Sequence, residues 1–277
     1  MTQNQSSPDM KDKIVDSHCH LDFDDFNDDL SEVINNARQN NVEYMLSISV
    51  DFEKFDNIHK IAKNYKNIWC STGVHPNNVP KKINLKAIEN LKNILQENLS
   101  KEKVIGVGET GLDFYRNAEN KKNQMEYFEA HMQIAGKTNT PIIIHTRNAE
   151  EDTISHIEKY TKKYMTKGLI HCFTSTKEVA KSALDNDLYI SFSGIITFKN
   201  SSELTDIVKY VPNEKILVET DCPYLSPSPN RGKRNEPSFV RHTLEKIAEI
   251  KKINPKEMAK ITTNNFFSLF SNICNEL

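Results

Sequence analysis

The feature that most constrains this chain is an alternation, repeated eight times, of a short apolar run with a longer amphipathic stretch. The apolar runs are Lys13–Ser17, Tyr44–Val50, Ile68–Val74, Val104–Glu109, Pro141–Thr146, Gly168–Phe173, Tyr189–Ser193 and Ile216–Asp221. Helix-period stretches separate them at Asp25–Asn40, Phe52–Tyr65, Leu85–Leu99, Lys121–Thr138, Glu150–Tyr164, Thr176–Asn186 and Ser201–Tyr210. Two more, Glu236–Lys251 and Pro255–Phe270, follow the last run. Regular alternation of this kind means parallel strands joined by right-handed crossovers. Eight such units within 277 residues favour an α/β fold of the TIM type, a closed (β/α)8 barrel, over an open doubly wound sheet. No Gly-x-Gly-x-x-Gly turn follows the first strand, which weakens a dinucleotide-binding alternative. There is no solenoid repeat, low-complexity tract or linker. A single barrel domain is therefore predicted over residues 13–277, behind a loose polar tail at residues 1–12.

Composition narrows the setting. Charged residues make up 27% of the chain, and no window holds the ~20 apolar residues of a membrane span, so no membrane partner is expected. The tail lacks the apolar core of a signal peptide. With 36 basic against 38 acidic residues the net charge is −2, which excludes a general nucleic-acid-coating role but leaves room for a local basic patch. The five cysteines (19, 70, 172, 222 and 274) are odd in number and show no CxxC spacing. Buried thiols in a reduced, cytoplasmic compartment are the natural reading.

The candidate site lies where the strands end, the side on which barrels of this type place their active sites. In Asp16-Ser17-His18-Cys19-His20 the two histidines share a strand face and Cys19 faces away. Alternation should likewise turn Cys172 away from its neighbour His171. Glu109 sits among glycines in Gly106-Val107-Gly108-Glu109-Thr110-Gly111, where the backbone can approach closely. A carboxylate buried there needs a counter-charge, and a metal provides one. His145 and His171 each end a wholly apolar run, and Asp221 ends the eighth. Four histidines and two carboxylates are too many for one tetrahedral zinc. They suit two divalent ions with Glu109 between them, leaving a local charge of about +2. Asp221 and Glu109 are the candidate catalytic carboxylates, with Asp221 suited to general-base work on bound water. Glu219 shares the face of Asp221 and reads as the hydrogen-bond partner of a ligand histidine. Asp113 reads as a loop cap. His75, in Gly-Val-His-Pro, reads equally as a substrate contact or a capping residue. His59, His131, His156 and His242 fall in helical stretches and read as solvated or packed.

Loops beyond these strands are basic where the whole chain is not: Arg116, Arg147, Lys199, Arg231, Lys233 and Arg234. Arginine grips phosphate with two parallel hydrogen bonds, so a phosphate-bearing substrate is expected.

In its ordered motifs the chain resembles the TatD family of metal-dependent deoxyribonucleases, within the wider amidohydrolase-like barrels. The stretches that carry the likeness are DSHCHLD (16–22), GVHP (73–76), GETGLDFYR (108–116), PIIIHTR (141–147), HCFT (171–174), SFSGIITFKN (191–200), ETDCPYLSP (219–227) and RGKRNEP (231–237). The resemblance implies a (β/α)8 barrel, a divalent-metal site and hydrolysis of DNA phosphodiesters from a 3′ end. His18, His20, Glu109, His145, His171 and Asp221 match the family's ligand positions. His75, Arg116 and Arg147 look like substrate-side positions. The chain is expected to act as a monomer on DNA, single-stranded or at ends, with two divalent cations chosen from zinc, manganese, nickel or magnesium. Asn148 stands where the family commonly has aspartate, and Ser175 where it has glycine; neither is a ligand position. The same site would also serve an amide, ester or aminoacyl-tRNA linkage. A non-catalytic metal or nucleic-acid scaffold is the reading of another class, and a complete ligand set argues against it.

Overall fold

The computed structural model describes residues 13–271 and 273; the predicted tail at 1–12 and Cys274 lie outside the described residues. Eight parallel strands form one sheet in the order of the sequence. They are β1 (Ile14–Cys19), β2 (Val42–Ser47), β3 (Ile68–Thr72), β4 (Val104–Asp113), β5 (Ile142–Arg147), β6 (Gly168–Ile170), β7 (Tyr189–Phe192) and β8 (Ile216–Val218). Helices α1 (Leu30–Gln39), α2 (Phe55–Asn64), α3 (Leu85–Leu99), α4 (Lys121–Thr138), α5 (Glu150–Tyr164), α6 (Lys177–Asp185), α7 (Ser202–Tyr210) and α8 (Val240–Lys251) follow the strands in turn, and α9 (Pro255–Leu269) comes last. This is the (β/α)8 barrel predicted from the alternation. No described helix is long and apolar enough to cross a membrane.

Two apolar layers hold it together. Inside the barrel, Val15, Leu46, Trp69, Ile105, Ile143, Leu169 and Leu217 meet one another and the phenylalanines of α9. That helix lies under the strand N-termini: Thr263 Oγ1 donates to Lys13 O at 2.8 Å, and Asn265 Nδ2 donates to Ile216 O at 2.8 Å. Phe266 and Phe270 therefore plug the floor and leave only the carboxyl-end mouth open. Outside, the alternate strand residues Ile144, Ile170 and Val218 pack against helix residues such as Phe128, Ile157 and Val179.

Two details position the site. The β1–β2 register slips between Asp16 and Cys19. Beyond that bulge, Cys19 joins the layer beneath the helices while His18 and His20 face the mouth. The seam between β8 and β1 carries no strand ladder; two backbone bonds near the strand ends, Asp221 N to His18 O and His20 N to Cys222 O, both 2.9 Å, close it together with side chains. The Asp16 carboxylate accepts Thr220 N at 2.9 Å and Thr220 Oγ1 at 2.6 Å, and Ser17 Oγ donates to Val218 O at 2.9 Å. β4 runs four residues past its predicted end because β5 continues beside it, pairing Gly111 with His145 and Asp113 with Arg147. β6 and β8 stop short of His171 and Asp221: His171 is the first residue after β6, and Asp221 the third after β8.

Candidate metal centre

The six sequence-predicted ligands meet in one cleft at the mouth. β1 supplies His18 and His20, β4 supplies Glu109, β5 supplies His145, and the loops after β6 and β8 supply His171 and Asp221. Glu109 can reach the centre because Gly111 lets β4 and β5 close up. A Cβ at Gly111, where φ is +140°, would stand 2.0 Å from His145 O.

The donor atoms fall into two sets that share Glu109. On one side, His18 Nε2 lies 3.3 Å from His20 Nε2, 3.5 Å from Glu109 Oε2 and 3.5 Å from Asp221 Oδ1. His20 Nε2 is 3.4 Å from Asp221 Oδ1. On the other side, Glu109 Oε1 lies 2.8 Å from His145 Nδ1 and 2.7 Å from His171 Nε2, and those two nitrogens are 3.1 Å apart. Ligands about 2.0–2.2 Å from a tetrahedral ion stand roughly 3.3–3.6 Å from one another, so the first set has the spacing of a coordination shell.

The far nitrogens show which lone pairs are available. His20 Nδ1 is hydrogen-bonded to Ile48 O at 3.1 Å and His171 Nδ1 to Glu219 Oε1 at 3.4 Å, while His145 Nε2 only faces Asp113 Oδ2, at 3.4 Å. A far N–H given to an oxygen leaves the near nitrogen as a lone pair aimed into the cluster. His18 and His171 stack with centroids 3.9 Å apart, which fixes both rings. His75 is different. Its Nδ1 accepts the backbone N–H of Asn77 at 3.0 Å, so in the neutral ring the proton sits on Nε2, 3.4 Å from Glu109 Oε1. His75 turns this N–H toward the carboxylate and also caps the turn at Pro76–Asn78.

Electrostatics agree with a cation site. Burial would raise the Glu109 carboxyl, but His171, His75 and His145 outweigh it and hold it well below its ordinary range. Burial likewise works against Asp221, and His20 and His18 keep that group ionised. Burial disfavours the His171 imidazolium, yet Glu109 and Glu219 raise its pKa well above the ordinary value. In the protein alone the imidazoles serve as counter-charges to two buried carboxylates. Imidazole and carboxylate donors in this arrangement fit divalent ions, which would replace those protons.

Comparison with known proteins decides the lineage. The family model for TatD-related DNases matches residues 15–271. The chain belongs to the TatD family. It is 42% identical over 262 residues to the uncharacterized metal-dependent hydrolase BU355 of Buchnera aphidicola, covering 93% of this chain and 99% of that one. It is 40% identical to the uncharacterized metal-dependent hydrolase YcfH of Escherichia coli K12, covering 93% and 95%. Among solved structures, the TatD homologue YJJV of Escherichia coli superimposes with a TM-score of 0.84 at 25% identity, covering 93% and 98%. The chain is thus a metal-dependent hydrolase of the TatD family.

The TatD cleft is a cavity of about 770 Å³, with Arg116 and Arg147 on its wall. The other predicted arginines are elsewhere. Arg234 makes a two-pronged pair with Asp29, at 2.6 Å for the shorter contact, and Arg231 lies over the Phe198 ring at 3.8 Å. Neither lines the cleft, and Asp29 holds the guanidinium of Arg234 away from it. Cys172 does line it, contrary to the alternation argument, since β6 has already ended and Cys172 has φ +43°. Asp113 caps its loop by accepting Arg116 N at 3.0 Å, and it also backs His145. Glu219 accepts Cys172 N at 2.8 Å. Asn148 adopts the left-handed conformation, φ +50°, which asparagine tolerates. Sequence reasoning missed Asp16, the fully buried clamp on Thr220; its signal was an acid two residues before the histidine pair, within an apolar run.

Proposed function

We propose that this TatD-family hydrolase cleaves DNA phosphodiester bonds, working inward from a 3′ end of unpaired strand, with two divalent ions bound on either side of Glu109. One observation carries the reading. Glu109 turns its two oxygens to two separate donor sets, at the floor of a cleft whose wall bears Arg116 and Arg147. His18, His20 and Asp221 would hold one ion, His145 and His171 the other, and Glu109 both. Bound there, the ions would supply an acidified water and neutralise charge developing on the phosphoryl group. The protein's own groups do the rest. Asp221 stays ionised and its side chain is 17% exposed at the mouth, so it can take the proton of an attacking water. The His75 Nε2–H steadies the Glu109 oxygen it faces. Neither Arg116 nor Arg147 has a carboxylate partner among the described residues; Arg147 lies over the Tyr115 ring at 3.9 Å, a face contact that leaves its N–H edges for a flanking phosphate. A monomer acting on single-stranded or end-exposed DNA satisfies this geometry.

The test is a time course on end-labelled single- and double-stranded DNA, beside closed circular DNA, with chelator and with metal restored. Stepwise shortening from the 3′ end that needs metal supports the proposal. Equal digestion of circular and linear forms overturns the end-directed mode. Turnover of acyl substrates but not DNA would move the site to amide or ester chemistry.

A further inference from the structure

The TatD cleft has two unlike walls. In a barrel whose strands run in sequence order, β8 and β1 stand diametrically across from β4 and β5. Arg116 and Arg147 rise from the β4 and β5 side. Phe23 and Tyr224 rise from the loops after β1 and β8, and they also line the cleft. Phe23 stacks on His20 with centroids 4.6 Å apart, and Tyr224 meets Phe23 edge-on at 6.1 Å. A ladder of rings therefore climbs from a ligand histidine to the rim. Tyr224 is left 56% exposed at its top; Tyr115 and Tyr210 are exposed as well, but of the three only Tyr224 lines the cleft. An exposed ring beside a half-buried one, facing arginines across a cation-binding floor, has the chemistry of a site for a planar aromatic group attached to an anion.

We propose that the Phe23–Tyr224 wall is a stacking subsite for the unpaired base of the nucleotide whose phosphate reaches the metal centre. This rests on the phosphodiesterase reading and specifies how the end is recognised. The base lies against the rings while the arginines opposite take the neighbouring phosphates. A base inside a duplex has both faces stacked on its neighbours, so the subsite favours an unpaired end. Every base has a π-face, so the subsite tolerates any sequence.

The experiment compares binding of dAMP, dTMP and 2-deoxyribose 5-phosphate to the metal-loaded protein by calorimetry, in the native chain, Tyr224→Ala and Tyr224→Phe. Stacking of one base on one ring is worth roughly 5- to 150-fold in affinity. The native protein should bind both nucleotides at least about fivefold more tightly than the sugar phosphate. Tyr224→Ala should lose most of that margin, and Tyr224→Phe should keep it. No margin in the native protein, or equal weakening of all three ligands in Tyr224→Ala, overturns the subsite. On DNA, a terminal abasic residue should slow removal in the native protein and make no further difference in Tyr224→Ala. If DNA is not hydrolysed at all, the phosphodiesterase reading fails, while the nucleotide comparison still tests the subsite.

Discussion

At Glu109 one carboxylate faces two groups of imidazoles, Oε2 toward His18 and Oε1 toward His145 and His171. A residue shared by two donor sets weakens both when it is removed, whereas His171 serves one. Glu109→Ala should therefore lose more bound metal than His171→Ala when each purified variant is analysed for metal content. Equal loss would contradict a bridging role. Asp16 acts through stability. Burial pushes its carboxyl up to about 8 against the pull of hydrogen bonds from Thr220 and His18. Asp16→Ala strands two donors of Thr220 in a closed seam, and each stranded donor costs about 1–3 kcal/mol. Urea unfolding should show a loss of about 3 kcal/mol for Asp16→Ala and a smaller one for Asp16→Asn, which keeps an acceptor. A loss below about 1 kcal/mol in the alanine variant would show that the seam does not depend on it.

Between elements, His131 ties α4 to the loop after β3. Its Nδ1–H donates to Tyr127 O at 2.7 Å, and its Nε2 accepts Val74 N at 3.1 Å. The bond from Val74 needs the neutral ring, and burial lowers its pKa from 6.5 to about 4. The sign follows directly. Above the unfolded value both states are neutral and the full stability is present. As pH falls below it, the unfolded chain takes a proton that the folded chain refuses, and stability is lost until the folded pKa is reached. This group should cost about 2 kcal/mol between pH 7 and pH 5. His131→Gln keeps a donor and an acceptor without titrating, so its urea midpoint should fall less over that interval. Parallel pH profiles for the two proteins would exclude His131 as the source.

For the molecule as a whole, the interior and helix-facing layers are complete without the mouth, since α9 plugs the floor with its own phenylalanines. Chelation should abolish hydrolysis and leave the far-ultraviolet circular dichroism unchanged at 25 °C; unfolding on chelation would show that the centre is structural. The net charge of −2 and a cleft wall with only two arginines imply that few phosphates are engaged. Binding of a short oligonucleotide to Asp221→Ala should weaken with salt at a slope of on the order of two to four, at roughly 0.7 per single-strand phosphate contact. A slope near ten would demand a basic surface that the arginines' positions do not provide.

How much was legible beforehand follows from distance along the chain. Strand and helix periods, and the polar residue that ends each apolar run, depend on neighbours a few positions away. The sequence by itself therefore determined the barrel, its strand order and the six residues that converge at its mouth. It also marked Glu219 as a neighbour of that site and Asp113 as a loop cap. Tertiary structure alone decided what depends on partners far apart in the chain. Arg234 is bound to Asp29, about two hundred residues earlier, and so leaves the phosphate wall. The tautomer of His20 is set by Ile48 O just beyond the neighbouring strand, which leaves its Nε2 as a lone pair aimed into the cluster. The aromatic wall faces the arginine wall only because eight strands close into a ring, and that closure brings together groups no local pattern connects.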